Sequence, residues 1–124
     1  MSINQVNNLV LAYLGDSIYE LKIRKYLISL GINNVNNLQT KSLDYVTAKN
    51  QSKFIKSMIE KNIFSEEEMD IIKRGRNTKT KSHPKNTDIL SYKWATALET
   101  LFGYLYLTEK HDRIDELINF IIGE

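Results

Sequence analysis

The chain has 124 residues, no cysteine and a formal net charge of +2. This length suits one domain with a hydrophobic core, and the absence of cysteine excludes a disulfide framework or a thiolate metal site. No apolar run approaches the ~20 residues of a membrane span. The polar residues 1–8 also lack the apolar core of a signal peptide, so we expect a cytoplasmic protein with no membrane partner.

The predicted elements begin with a mostly apolar helical region at residues 5–30, which Gly31 ends. A break at Gly15 is an alternative within this region, because glycine weakens a helix by about 1 kcal/mol relative to alanine. The asparagine-rich residues 33–37 form a turn-prone link. In residues 40–59, apolar side chains recur at steps of three and four, which predicts one or two amphipathic helices.

In the second half of the chain, a capping box at Ser65–Glu68 opens the next helix. A polar loop follows at residues 74–86 and contains the only proline. The following, mostly apolar helix has a cap at Thr87 or Asp88, and a final amphipathic helix spans residues 112–122. No stretch alternates with period two over the length of a strand. We therefore predict an all-α fold, a helical bundle of about six to seven helices.

Positive charge is concentrated around the polar loop. Residues 73–93 hold seven Lys or Arg and one acid, a local charge of +6, whereas the rest of the chain carries −4. This distribution is typical of a surface that binds a polyanion. Arg and Lys interleaved with Asn, Ser and Thr suit contacts to phosphate and 2′-hydroxyl groups, although an ordinary solvated loop is the alternative.

Two acids, Asp16 and Glu99, stand on mostly apolar helices. Small residues nearby would let the two helices pack closely and the carboxylates converge: Ala12, Gly15, Ala95 and Gly103. Mg²⁺ needs only one or two protein carboxylates and takes its other ligands from water and substrate phosphate. Paired acids beside a basic loop are therefore a candidate phosphodiester-cleaving centre. Two alternatives stay open, since Asp16 could cap a second helix after a break and Glu99 could be a solvated glutamate.

Five aromatic side chains at helical spacing are interpreted as core residues rather than base-stacking platforms: Tyr13, Tyr92, Trp94, Tyr104 and Tyr106. The two histidines have neither metal-ligand spacing nor a neighbouring nucleophile, so we expect them at the surface.

The two acidic motifs carry a family resemblance. Residues 13–20, YLGDSIYE, resemble the signature helix of the ribonuclease III catalytic domain, and residues 99–107, ETLFGYLYL, resemble its second acidic helix. The whole chain is most similar to the Mini-ribonuclease III subfamily, whose own loop is similar to residues 74–77 and 84–88. Full-length ribonuclease III differs by acids at three positions, where this chain has Leu9, Ala12 and Thr96. It also has a double-stranded-RNA-binding domain, whereas we expect residues 1–124 to form a single catalytic domain without one.

The resemblance implies a homodimeric, Mg²⁺-dependent endoribonuclease, with Mn²⁺ as a substitute, that acts on double-stranded RNA. Asp16 and Glu99 would be the catalytic metal ligands, and the products would carry 5′-phosphate and 3′-hydroxyl ends. The implied RNA-binding residues are Arg74, Arg76, Asn77, Lys79, Lys81, Lys85, Asn86 and Thr87. The implied substrate is precursor large-subunit (23S) ribosomal RNA, with a ribosomal protein as a possible helper.

Two alternatives to the enzyme remain at this point. One is a non-catalytic ribonuclease III-like protein that binds RNA or associates with the ribosome, and the loss of several acids favours it. The retention of both Asp16 and Glu99 opposes it. The other is an all-α interaction module whose acids are merely buried or solvated.

Overall fold

The computed structural model describes residues 2–79 and 88–123, and these residues form helices without any strand. A short 3₁₀ turn precedes six α-helices: α1 Asn8–Ser29, α2 Val35–Val46, α3 Ala48–Glu60, α4 Glu66–Asn77, α5 Ile89–Leu107 and α6 His111–Ile122. The all-α prediction is therefore confirmed. No helix in the described part of the chain has the length and apolar character needed to cross a membrane.

Helix α5 is the centre of the bundle, because it packs against α1, α3, α4 and α6. Nine of its residues are buried, and Leu98, Leu101 and Phe102 are fully enclosed. Its apolar side chains cover most of its circumference, as expected for a helix that has other helices around it. The amphipathic helix α6 buries one face through Ile114 and Leu117, as the sequence predicts.

Helix α1 runs without interruption through Gly15, and Asn7 caps its first turn by accepting a hydrogen bond from the backbone N–H of Leu9. The predicted alternative of a break before Asp16 is therefore wrong. Glycine is needed here for contact rather than for a turn. A Cβ on Gly15 would lie 1.7 Å from the backbone oxygen of Glu99, and one on Gly103 would lie 2.0 Å from the backbone oxygen of Leu11. The predicted close approach of α1 and α5 is confirmed.

Local capping signals locate the other helix ends. Ser65 and Glu68 form the predicted capping box at the start of α4. Glu68 also receives hydrogen bonds from Arg113, which ties α4 to α6. Asp88 caps α5 by accepting a hydrogen bond from the backbone N–H of Ser91.

Gly31 follows the end of α1 with φ +88°, a left-handed conformation that glycine adopts at little cost.

Two of the five aromatic side chains predicted for the core are exposed instead. Tyr13 is 84% exposed and Tyr106 is 42% exposed, whereas Trp94 and Tyr104 are partly buried. The prediction was wrong for Tyr13 because apolar residues surround α1 on nearly all sides. Periodicity then cannot indicate which side meets α5.

We predict that Gly15→Ala and Gly103→Ala each destabilise the protein severely. The added methyl group overlaps backbone atoms, which cannot move aside as a side chain can, so the loss should reach the upper end of overpacking effects, about 3 kcal/mol or more. Gly123→Ala is the matched control, because the same methyl there meets only its own helix. Urea unfolding monitored by circular dichroism measures all three. Unchanged stability of either core variant would show that α1 and α5 are not in backbone contact.

Candidate active site

The backbone contact between α1 and α5 brings Asp16 and Glu99 together. Gly15 lies directly against the backbone of Glu99. Asp16, the next residue of α1, therefore places its carboxylate beside the Glu99 side chain. The two carboxyl groups lie within hydrogen-bonding range, with Glu99 as the donor and Asp16 as the acceptor. Residues separated by 83 positions in the sequence therefore meet, as the sequence predicts.

The burial of the two acids differs from what the sequence suggested. Asp16 is exposed, although it stands on a mostly apolar helix, a pattern that favours burial. Glu99 is only partly exposed, although the alternative for it was a solvated surface glutamate. The physical reason is that α1 leaves one side uncovered, next to Tyr13 and Ser17, whereas α5 is surrounded by other helices.

Proximity and burial together favour the neutral form of Glu99. Burial is the largest effect, followed by the hydrogen bond to Asp16 and the charges of Asp16 and Glu20, and these raise the pKa of Glu99 to about 9. Two carboxylates so close cannot both ionise cheaply without a cation between them. At neutral pH the metal-free pair therefore holds one proton, which a divalent cation would replace.

Gln51 is a third member of the site that the sequence analysis missed. It lies on α3 with only 2% of its surface exposed, and its amide hydrogen-bonds to Glu99 and thereby opposes the rise in that pKa. Its Nε2 also donates to the backbone oxygen of Val46 at 3.3 Å. Its Oε1 is buried and has no hydrogen-bond partner within the described residues. The available signal was a polar residue on the buried face of amphipathic α3, beside Ile55 and Met58.

Tyr19 supports the site from the core side. Its ring packs against Phe102 with centroids 5.6 Å apart, and its hydroxyl donates to the backbone oxygen of Tyr45 at 2.7 Å. Burial first, and then the charge of Glu99, raise the pKa of this hydroxyl well above its usual range. Tyr19 therefore stays neutral and acts as a spacer between α1, α2 and α5.

The donor set suits a hard divalent cation. Two carboxylates converge with a buried amide oxygen close by, and oxygen ligands of this kind are what Mg²⁺ and similar ions prefer. Glu20 is turned toward Arg24, with 3.5 Å between their charged atoms. Within residues 2–79 and 88–123 no group of three or more His, Cys, Asp or Glu could hold a metal. A cation at this site would therefore keep much of its water.

The described basic residues cluster at the end of α4, near the first turn of α1. The end of α4 and the residues just after it carry four of the predicted RNA-binding residues: Arg74, Arg76, Asn77 and Lys79. All except Arg76 are exposed. Lys81, Lys85, Asn86 and Thr87 lie outside the described residues. Thr78 receives a hydrogen bond from the side chain of Asn8, at the first turn of α1. Because a helix rises about 1.5 Å per residue, this end of α4 lies about 12 Å along α1 from Asp16.

Trp94 holds Arg76 in place. The guanidinium carbon lies 5.0 Å from the centre of the indole ring, and the ammonium group of Lys56 lies 5.9 Å from it. Such cation–π contacts fix a charged side chain that would otherwise be mobile. Lys56, which shares the Trp94 ring with Arg76, is a basic residue that the sequence analysis did not single out.

The comparisons with known proteins identify the family of the chain. The family model described as Ribonuclease III domain matches residues 9–110. The chain is 46% identical over 118 residues to the Mini-ribonuclease 3 of Enterococcus faecalis, covering 95% of this chain and 89% of that protein. It is 39% identical over 120 residues to the Mini-ribonuclease 3 of Staphylococcus aureus, covering 97% and 90%. A crystal structure of a Fusobacterium nucleatum protein matches with a TM-score of 0.87 and 39% identity, covering 97% of this chain and 96% of the other.

The helical bundle and the matched domain define a ribonuclease III-type protein. Within that class, the chain belongs to the Mini-ribonuclease 3 group of the ribonuclease III family. The resemblance drawn from residues 13–20 and 99–107 is thus confirmed. The ribonuclease III family acts on double-stranded RNA and generally uses divalent metal ions, and its domain is typically dimeric.

The raised pKa of Glu99 predicts a specific pH dependence of stability. Without a divalent cation, the folded protein keeps the Glu99 proton up to about pH 9, whereas the unfolded chain loses it near the ordinary value of 4.5. Stability should therefore fall as pH rises through this window. Glu99→Gln cannot ionise, so we expect it to be more stable than the wild type at about pH 8 and to lose this advantage toward about pH 5.

This expectation is tested by urea unfolding across that pH range in the presence of a chelator. Glu60→Gln, which changes an exposed glutamate at the end of α3, is the control and should follow the wild type. Parallel pH curves for the wild type and Glu99→Gln would show that Glu99 ionises freely in the folded protein.

Proposed function

We propose that this protein is a Mg²⁺-dependent endoribonuclease that cleaves double-stranded RNA and matures precursor 23S ribosomal RNA. The observation that carries the proposal is the convergence of Asp16 and Glu99 within a ribonuclease III domain. Mn²⁺, a similar hard divalent ion, substitutes for Mg²⁺ at such an oxygen site. The relatives in Enterococcus faecalis and Staphylococcus aureus are named as ribonucleases and support the same activity.

The two acids have different roles in this mechanism. Glu99 would hold the cation as a carboxylate from the core side, fixed by α5 and by Gln51. Asp16 is exposed, so it would hold the cation from the side that the RNA approaches. A bound divalent cation supplies polarisation of the phosphate and a water of lowered pKa. Water oxygen bonds to phosphorus and the bond to the 3′ oxygen breaks, which leaves a 5′-phosphate and, after protonation, a 3′-hydroxyl.

The basic end of α4 and the loop after it would hold the RNA backbone. Arg74, Arg76 and Lys79 start this surface, and Lys81 and Lys85 continue its charge along the sequence. Asn77, Asn86 and Thr87 add neutral donors that suit 2′-hydroxyl groups. The end of α4, which is the described part of this surface, lies about 12 Å from Asp16 along α1. It is therefore close enough to bind the same duplex that the acids would cut.

Double-strand cleavage also requires a second acid pair, which a two-fold dimer supplies. One side of α1 exposes apolar side chains next to Asp16: Val10 is 55% exposed, Tyr13 84% and Leu21 60%. Contiguous exposed apolar surface is typical of an interaction site. We assign this side of α1 to the interface of a homodimer, because an isologous interface repeats the same patch on both subunits and places the two sites symmetrically.

The proposal predicts that Asp16→Asn and Glu99→Gln each abolish cleavage of an RNA duplex while the helical fold is kept. Each variant keeps the shape of the side chain but weakens a site that binds a hard cation. Cleavage and circular dichroism are measured together, with Glu60→Gln as an active control. Turnover near the wild-type rate in either variant would contradict the assignment of the pair. A folded wild type that binds duplex RNA without cutting it in Mg²⁺ would support the non-catalytic alternative.

A mixed dimer extends the same experiment to assembly. Differently tagged wild-type and Asp16→Asn chains are co-expressed, purified as the mixed dimer, and given a duplex labelled on both strands. With one working site per strand, the mixed dimer should nick one strand and leave the other intact. Efficient cutting of both strands, or a monomeric wild type that cuts both, would contradict the one-site-per-strand arrangement.

We also predict that neutralising Arg76, Lys79, Lys81 and Lys85 with glutamine weakens RNA binding without altering the fold. Each phosphate contact that is lost should lower the slope of log affinity against log salt by roughly one unit. Binding is measured in the Asp16→Asn background, which prevents cleavage. Lys25→Gln is the control, since this exposed lysine lies about 25 Å along α1 from Asn8 and the basic surface. An unchanged slope would show that these residues do not contact the RNA backbone.

A further inference from the structure

The amide of Gln51 presents an oxygen that the protein leaves without a partner. Oε1 is buried on a side chain that is only 2% exposed, and no described residue donates a hydrogen bond to it. A buried amide oxygen left unpaired costs about 1–3 kcal/mol. Native structures generally avoid this, so an unpaired oxygen beside a candidate cation site indicates a ligand that normally supplies the missing hydrogen bond.

The orientation of this amide is fixed by its neighbours. Nε2 donates to the backbone oxygen of Val46 and lies within hydrogen-bonding range of the Glu99 carboxyl. Turning the amide over would place Oε1 against the Val46 oxygen, so that two acceptors would face each other without a proton between them. Oε1 therefore lies on the other branch of the planar group whose nitrogen contacts Glu99.

We propose that Gln51 is a positioning residue of the cation site, with Nε2 holding the Glu99 carboxylate and Oε1 accepting a hydrogen bond from a water bound to the cation. The inference rests on the proposed function and extends it to a residue on a third helix. A site with only two carboxylates leaves much of the shell of Mg²⁺ to water, and these waters need acceptors that orient them. Removing a group that hydrogen-bonds to a metal-bound ligand in this way typically lowers metal affinity about 10–100-fold.

The neighbouring residue Asn50 provides a control for a purely structural role of Gln51. Asn50 also ties the start of α3 to α2, because its Nδ2 donates to the backbone oxygen of Leu43 at 3.1 Å. It is only partly buried, and neither its oxygen nor its nitrogen is left buried without a partner. Asn50 therefore reproduces the connection between the two helices without the contact to Glu99, which makes Asn50→Ala a matched control.

The experiment measures Mn²⁺ binding to the RNA-free protein by electron paramagnetic resonance, together with thermal unfolding of each variant. Gln51→Leu removes both polar atoms at similar volume, and we expect Mn²⁺ affinity to fall about 10–100-fold. Asn50→Ala should bind Mn²⁺ as the wild type does. Gln51→Glu loses the N–H donor but keeps an oxygen acceptor and adds a negative charge that attracts the cation, so it should bind Mn²⁺ at least as tightly as the wild type.

The outcomes separate this inference from the proposed function. Wild-type affinity in Gln51→Leu, with affinity lost in Glu99→Gln, would overturn the role of Gln51 alone. Absence of Mn²⁺ binding to the wild type would overturn the cation site itself and this inference with it. If Gln51→Leu does not fold, Gln51→Glu decides. Weakened binding in a folded Gln51→Glu would show that only the donor matters and would overturn the role of Oε1.

Discussion

The backbone contact between α1 and α5 is the constraint on which the rest of the structure depends. At Gly15 and Gly103 no side chain separates the two helices, so the distance between them is set by main-chain atoms. Main-chain positions in the middle of packed helices vary far less than the tips of flexible side chains. The separation of Asp16 and Glu99 is therefore fixed before any ligand arrives, which is what a site for a small, hard cation requires.

This contact also maintains an unfavourable electrostatic arrangement. The bundle presses a partly buried glutamate against a second carboxylate, with Glu20 adding further negative charge. Such an arrangement lowers the stability of the metal-free fold, and the extensive burial along α5 offsets it. Functional sites commonly break a rule of stability in this way and rely on the surrounding packing. Here the same repulsion between the two carboxylates would favour the binding of a divalent cation at the proposed site.

Much of the fold follows from local sequence signals. The capping box at Ser65 and the cap at Asp88 are recognisable within four residues, and the glycines predicted the close approach of two helices correctly. The exposure of Tyr13 and Asp16 could not be predicted in the same way. Helix α1 is apolar on nearly every side, so its pattern carries no information about which side faces α5 and which faces outward.

Gln51 shows why part of the site escapes sequence analysis altogether. Its contact with Glu99 depends on α3 packing against α5, which joins residues far apart in the chain, and glutamine carries no motif of its own. A polar residue on the buried face of a helix is the one local clue, and it does not identify the partner. Resemblance to a family identifies the two acids as candidates because they lie within the motifs that carry the resemblance. The same resemblance says less about neighbouring groups, such as Gln51, that contact these acids and change their pKa.

The site lies where the core meets the uncovered side of α1. Glu99 belongs to the central helix, whereas Asp16 lies at the edge of the exposed apolar surface that carries Val10 and Tyr13. In the proposed dimer, a second subunit covering this surface would remove water from around Asp16. Loss of water strengthens both the repulsion between the two carboxylates and their attraction for a cation. Assembly and cation binding would then favour each other, since two events that act on the same electrostatic interaction must be linked in both directions.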